Sequence, residues 1–181
     1  MSTSTASTTT KWAIDPTHSE VSFKVKHLVI STVTGNFKSF EGSIETESED
    51  FDQAKVAFTA DIDSIDTNQK DRDAHLKSGD FFDAEKFPKL IFSNGVLENK
   101  NGEFTLNGHL TIKDITKPIE LSVEFGGIAG DPYGNTKAGF ELEGKISRKE
   151  FGLTWSAITE AGSVVVGDQI RIIASIQLVK N

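Results

Sequence analysis

The side chains in this sequence that could do chemistry are histidines, carboxylates and hydroxyls, because there is no cysteine. That absence excludes disulfides, thiolate zinc sites and a cysteine nucleophile. The four histidines form no HExxH motif and no close pair with the spacing of metal ligands. The sequence also contains no GxSxG elbow, phosphate-binding glycine loop or nucleotide fingerprint. It therefore predicts no metal site and no catalytic residue.

The carboxylates do not form a site pattern either. The acidic residues 45 to 52 are typical of a solvated loop. Asp61, Asp63 and Asp66 are spaced like part of a calcium loop, but the glycine needed at its sharp turn and the closing glutamate are absent. We therefore predict that these acids lie on the surface.

Two polar residues share the faces of apolar strands. His27 lies on the same face of its strand as the alternate apolar residues in 21–25. It is either a core histidine with its hydrogen bonds satisfied or a ligand contact. Arg148 has the parity of the apolar residues in 138–146, so it can project inward at a barrel end. There it would pair with a buried acid or hold an anionic or carbonyl head group. His27 and Arg148 are the candidate head-group contacts.

One short helix is the exception in a chain that otherwise alternates like β-structure. Thr67 or Asn68 is its predicted N-cap, and acidic residues suit its positively polarised first turn. A glycine near the negative end predicts that the helix stops close to Ser78. Phe81 and Phe82 follow in a loop and need a hydrophobic host, so we expect residues 68–88 to form a plug at the mouth of a barrel.

The strands are indicated by period-two alternation of apolar and polar residues. We expect about eight antiparallel strands in a barrel or sandwich, and a closed barrel has no exposed edges. The parity of the apolar residues changes between Val33 and Ile44, which predicts a β-bulge near Lys38 or Ser39. The interior of such a barrel can hold one small ligand. The predicted apolar lining is Phe23, Val25, Phe40, Phe58, Leu76, Phe81, Phe82, Phe92, Leu110, Phe140, Leu142, Trp155 and Ile172.

Composition limits the partners. The formal net charge of −8 argues against an electrostatic grip on nucleic acid or on an anionic membrane surface. No apolar run is long enough for a membrane helix, so stable membrane insertion is not expected. Residues 1–10 are predicted to be a disordered polar tail without the pattern of a signal peptide, and residues 11–181 a single domain. This predicts a cytoplasmic protein.

Six segments form a recognisable set: IDPTHS at residues 14–19, GNFKSFEG at 35–42, and residues 72–88, 110–118, 148–153 and 166–172. Together they resemble the YceI-like family of bacterial polyisoprenoid-binding proteins. The resemblance covers essentially residues 12–180. It implies an all-β, extended eight-stranded antiparallel barrel of lipocalin-like shape, with one short helix and the plug loop.

The resemblance also implies a task for that barrel. We expect non-catalytic binding, storage or transport of a long-chain isoprenoid, such as a polyprenyl or quinone-type lipid, or of a similar fatty amphiphile. No cofactor besides this lipid is expected, and a homodimer is left open. The alternative is an enzyme that modifies such a lipid, with His27, His75 or the acids near Asp80 as acid and base.

Overall fold

The computed structural model describes residues 9–28, 30–48, 50–154 and 166–181. Strands dominate it because most segments alternate between apolar and polar residues. The elements are β1 (Thr10–Ile14), β2 (Glu20–His27), β3 (Ser31–Phe37), β4 (Phe40–Thr46), β5 (Ala54–Asp61), β6 (Ile65–Asp66), α1 (Lys70–Lys77), β7 (Lys89–Lys100), β8 (Glu103–Ile112), β9 (Ile115–Gly130), β10 (Thr136–Ser147) and β11 (Val166–Lys180), with 3₁₀ turns at Pro16–His18, Ile62–Ser64 and Arg148–Phe151.

Eight of these strands close into an antiparallel barrel. Their hydrogen-bonded order is β1, β4, β5, β7, β8, β9, β10 and β11, and β1 pairs back onto β11. The closing seam joins residues 12–14 to residues 178–180. The prediction of an all-β, eight-stranded antiparallel barrel with one short helix is therefore confirmed.

The long strand β11 has two different partners along its length. Its last residues pair with β1, whereas residues 166–175 pair with β2, which continues into β3 and β6. The predicted bulge near Lys38 or Ser39 is wrong. The strand instead breaks between Phe37 and Phe40, because β3 pairs with β2 while β4 pairs with β1.

Antiparallel pairing sorts the connections to two ends of the barrel. The β2–β3 hairpin, α1, the plug at residues 78–88 and the turn Arg148–Phe151 lie at one end, which we call the helix end. The β4–β5 loop, the β7–β8 turn, the β9–β10 loop and the β1–β11 seam lie at the other, which we call the closed end.

The helix α1 begins with a cap that differs from the prediction. Neither Thr67 nor Asn68 caps it, because the side chain of Gln69 accepts a hydrogen bond from Arg72 N at 2.7 Å. Thr67 instead donates from N and Oγ1 to Asp73 Oδ1, at 2.8 and 2.5 Å. The C-terminus falls where predicted, with Ser78 as the C-cap residue.

A charged cluster fixes the junction between β1 and β2 to the start of β10. The carboxylate of Asp15 accepts hydrogen bonds from Thr17, His18 and Lys137, and the Lys137 Nζ distance is 2.8 Å. The Asp15 and Lys137 side chains are both only 13% exposed. The bonds from Lys137, Thr17 and His18 hold the pKa of the Asp15 carboxyl far below its ordinary value of 3.8.

Because the pKa of Asp15 is lowered in the folded state, its stabilising effect is present above the unfolded pKa and is lost as the pH falls below about 4. We expect Asp15→Asn to lower the free energy of unfolding by about 2 kcal/mol at pH 7, since it weakens a half-buried charged cluster. Urea unfolding at pH 7 and pH 3 measures this, and the difference from the wild type should shrink at pH 3. Asp114→Asn, at an exposed turn position, is the control and should show no such pH-dependent gap.

Candidate functional site

The barrel encloses a cavity of about 340 Å³ that runs along its axis. It is lined on β10 from Phe140 to Ile146 and on β11 from Ile170 to Leu178, and further apolar side chains come from β2, β5, β7, β8 and β9. Its size lies in the range of sites that hold small organic ligands. Apolar transfer from water is the main driving force that such a lining can offer a ligand.

The lining is apolar because the inward parity of the strands is apolar. On β10 and β11 the register pairs Phe140 with Ile176, Leu142 with Ala174 and Ile146 with Ile170. Each of these six side chains lines the cavity, whereas the residues between them are mostly polar and point outward.

Of the predicted lining residues that the structure describes, all but one lie in this cavity. The lining includes Phe23, Val25, Phe58, Leu76, Phe81, Phe82, Phe92, Leu110, Phe140, Leu142 and Ile172. Phe40 is not a lining residue: its ring packs against Phe58, with the centroids 5.9 Å apart. Trp155 lies outside the residues that the structure describes.

Two glycines shape the cavity by accepting aromatic rings. A Cβ on Gly35 would lie 2.3 Å from Cζ of Phe23, and one on Gly108 would lie 2.4 Å from Cζ of Phe92. The space beside each glycine is filled by the neighbouring ring, which is why no side chain fits there.

Apart from Ser22 and Ser43, the polar lining residues all come from the helix end. They are Lys26 and His27 on β2, Arg72 and His75 on α1, and Arg148. Lys26 is exposed and His75 is partly exposed, so the cavity meets solvent here. The arrangement is amphipathic along one axis, with cationic and imidazole groups at the mouth and hydrocarbon beyond it.

Arg148 is 1% exposed, and its guanidinium joins two segments of backbone. Its Nε donates to the carbonyl of Gly167 at 2.8 Å, and its terminal nitrogens donate to the carbonyls of Leu153 and Val166 at 2.6 and 3.3 Å. Burial lowers the pKa of Arg148, and the Asp168 carboxylate, 3.6 Å away, opposes that change. These contacts give Arg148 a structural role at the mouth.

The helix α1 and the plug cover the mouth, held by a polar contact between them and by two buried rings. His75 Nε2 lies 2.9 Å from Asp80 Oδ2, and the imidazole packs edge-on against Phe81 at 5.1 Å. Phe81 and Phe82 are buried against the core of the helix end. Arg72 donates to Oγ1 and O of Thr67, at 2.8 and 2.6 Å, which fixes the start of the helix.

An aromatic layer seals the closed end. Phe51 in the β4–β5 loop is 0% exposed, and its ring lies 5.3 Å from Trp12 and 5.1 Å from Phe140. Its φ of 58° is unusual for a bulky residue. The loop is held in place by β7, because Gln53 N donates to Leu97 O at 2.7 Å. The cavity is therefore blind at this end.

Sequence reasoning missed several of these groups. Phe51 was assigned to a solvated loop because its neighbours are acidic, although an isolated aromatic among acids was a signal that it is buried. No local signal in the sequence places Arg72 at the mouth. The alternation along β11 does predict that Ile170 and Ile176 face inward with Ile172, and all three line the cavity.

The described ranges contain neither a candidate metal site nor a membrane-spanning helix. In residues 9–28, 30–48, 50–154 and 166–181, no group of three or more His, Asp or Glu could hold a metal ion. Over the same part of the chain, no helix has the length and apolar character needed to cross a membrane.

Comparison with known proteins places the barrel among relatives. The model of a family described as "YceI-like domain" matches residues 12–178. Protein YceI of Salmonella newport is 34% identical over 160 residues, which cover 88% of this chain and 81% of that protein.

Solved structures share the architecture. The Campylobacter jejuni YceI protein is 34% identical, with a TM-score of 0.71 over 87% of this chain and 91% of that chain. Burkholderia cenocepacia BcnA, 21% identical, matches with a TM-score of 0.75 over 91% of this chain and 98% of its own. A polyisoprenoid-binding domain from Saccharophagus degradans, 12% identical, matches with a TM-score of 0.65 over 94% and 98%. The last two similarities concern the fold alone.

Proposed function

Because this chain belongs to the YceI-like family, we propose that it binds and stores or transports a long-chain isoprenoid, or a similar amphiphilic lipid, without chemical conversion. The observation that carries the proposal is the blind apolar cavity with its cationic and imidazole lining residues all at one end. That shape matches a molecule with one long hydrocarbon chain and one polar head. The S. degradans domain, a polyisoprenoid-binding domain of the same fold, supports the choice of ligand class.

The energy of binding comes from the chain of the ligand. Each methylene that leaves water contributes about 0.8 kcal/mol, from which the costs of association and ordering subtract. Apolar contacts discriminate weakly between chains that differ by one methylene. We therefore propose selection by approximate length and by the presence of a single head, with quinone-type and polyprenyl lipids as the main candidates.

The head group belongs at the helix end in this proposal. His27 lines the cavity there and is the proposed direct contact. Arg148 contributes positive charge, although its hydrogen bonds to the carbonyls of Leu153, Val166 and Gly167 hold it in the protein framework. The chain then runs between Phe23, Phe58 and Leu142 toward the aromatic layer at the closed end.

Native mass spectrometry of the protein purified without detergent tests this function. We expect a bound mass that organic solvent removes, with a spectrum of extracted lipid dominated by long-chain isoprenoids. If no lipid is recovered from the purified protein, and none binds after incubation with vesicles that contain polyprenol, the proposal is wrong.

Incubation with a lipid substrate, followed by mass spectrometry of the recovered lipid, separates a carrier from an enzyme. The His75–Asp80 pair at the mouth is the arrangement that most resembles an oriented base. A carrier returns a polyprenyl phosphate unchanged after long incubation. Recovery of a hydrolysed or transferred product, abolished by His27→Ala or His75→Ala, would favour the enzyme instead. The homodimer and the cytoplasmic location remain proposals, which sedimentation velocity and cell fractionation test.

A further inference from the structure

The outer face of the barrel near the helix end carries a row of cations. Lys145 on β10 stands directly opposite Arg171 on β11, and Arg171 stands directly opposite Lys24 on β2. All three point outward, because their neighbours Gly144, Ile172 and Phe23 share the inward parity of the cavity lining. This is local positive charge on a chain whose formal net charge is −8.

Folding does not account for this row. Like charges directly opposite one another on paired strands destabilise a sheet. Glu143 offsets part of the cost because it pairs with Arg171. The exposed Lys26 and Lys149 extend the positive charge toward the helix end, where Lys149 lies 3.3 Å from Asp168. A surface that is unfavourable for the sheet but basic as a whole is suited to an anionic partner.

An apolar tip lies next to this row. Ile30 in the β2–β3 hairpin is 84% exposed, which makes it one of the most exposed large apolar residues of the described chain. The hairpin directly follows Lys26 and His27, which line the mouth of the cavity. The end of β2 at His27, from which the hairpin starts, is three residues along the strand from Lys24, or about 10 Å, which is close to the Debye length at physiological salt.

From these observations we propose that the helix end docks reversibly on an anionic lipid bilayer. Ile30 enters the interfacial region, and Lys24, Arg171 and Lys145 face the head groups. The mouth is then set against the bilayer, so that an amphiphile passes between membrane and cavity without its chain crossing water. This inference rests on the proposed lipid-binding function and specifies where the lipid is exchanged.

The charge distribution explains why the contact is oriented and reversible. The net negative charge of the whole chain argues against a general grip on anionic membranes, but surface electrostatics act only over about 10 Å. The acidic remainder of the surface is repelled, so the face that carries the row of cations turns toward the bilayer. A single exposed isoleucine with a few lysines is far weaker than an inserted helix.

Vesicle flotation tests the docking. We use phosphatidylcholine vesicles with and without phosphatidylglycerol, at low and high salt. The wild type should float with the anionic vesicles only, and less so at high salt. The double variant Lys24→Ala/Lys145→Ala should partition about 25-fold less, at about fivefold for each lysine. Ile30→Ser should lower partitioning about tenfold.

Matched controls come from the closed end. Tyr133 is 88% exposed in the β9–β10 loop, and Lys100 is exposed at the end of β7. Tyr133→Ser and Lys100→Ala should float like the wild type. Equal losses in the control and docking variants would overturn the proposal, because the contact would then have no preferred end.

Two further readouts make each outcome decisive. Lipid content, measured by mass spectrometry after extraction, should be unchanged in Lys24→Ala/Lys145→Ala, since these side chains lie outside the cavity. A protein that carries lipid but does not float overturns the docking alone, whereas a protein that floats without ever binding lipid overturns the proposed function. If Ile30→Ser converts a dimer to a monomer in sedimentation velocity, the tip contacts a second copy and the membrane proposal is wrong.

Discussion

Replacing Ala174 by Phe is expected to lower the affinity for a long-chain lipid by about 100-fold. Ala174 lines the cavity on β11, between Leu142 and Val21 on the neighbouring strands. A phenyl ring there occupies the path of the chain and displaces about four methylenes, which costs about 3 kcal/mol of binding at ~0.8 kcal/mol each. Quantifying extracted lipid per mole of protein, together with titration of a fluorescent isoprenoid, measures the loss.

The neighbouring residue supplies the control. Ile173 is on the same strand but faces outward, opposite Ser22 on β2. Ile173→Phe adds a similar ring to the outside of the barrel and should leave lipid content unchanged. If Ala174→Phe keeps its lipid while its thermal unfolding matches that of the wild type, the ligand does not lie in this cavity.

Replacing Phe51 by Ala should have the largest effect on stability. The ring is fully buried and contacts Trp12, Phe125 and Phe140, so its removal leaves a void in the aromatic layer. Large-to-small substitutions of buried phenylalanine cost about 3–5 kcal/mol. For a chain of this length we expect the midpoint of thermal unfolding to fall by about 10 °C, measured by calorimetry.

An exposed aromatic residue at the same end is the control, because it separates the effect of losing a buried ring from the effect of losing any aromatic side chain. Tyr133→Ala removes a ring that contacts mainly solvent, and should change the free energy of unfolding by less than about 0.5 kcal/mol. A loss of under about 1 kcal/mol for Phe51→Ala would contradict the assignment of Phe51 as the seal of the closed end.

The barrel and much of its lining could be predicted because alternation is a local property. Polar neighbours in the sequence show that Phe140, Leu142 and Ile172 face inward, because successive side chains of a strand point to opposite faces of the sheet. The end of the helix was also predictable, because Gly79 and the C-terminal Lys77 are local signals.

The remaining features depend on contacts between distant parts of the chain. Phe51 is buried because β7 holds its loop against the barrel, and no local pattern encodes that. The parity of Arg148 was read correctly, but its partners are largely backbone carbonyls at both sides of residues 155–165, not simply a buried acid. Gln69 caps α1 because the Thr67 hydroxyl is already hydrogen-bonded to Asp73 and Arg72. N-cap preferences of single residue types do not describe this competition.

The seam between β1 and β11 ties the closure of the barrel to the synthesis of β11. Ala13 pairs with Val179, so the barrel cannot close while its last strand is still inside the ribosome. Until then the nascent sheet has two unpaired edges and an uncovered apolar face, which are the features that favour aggregation. Such non-local pairing also makes closure slow relative to local folding. Translation must therefore produce an open sheet first, and the cavity forms only once β11 has left the ribosome.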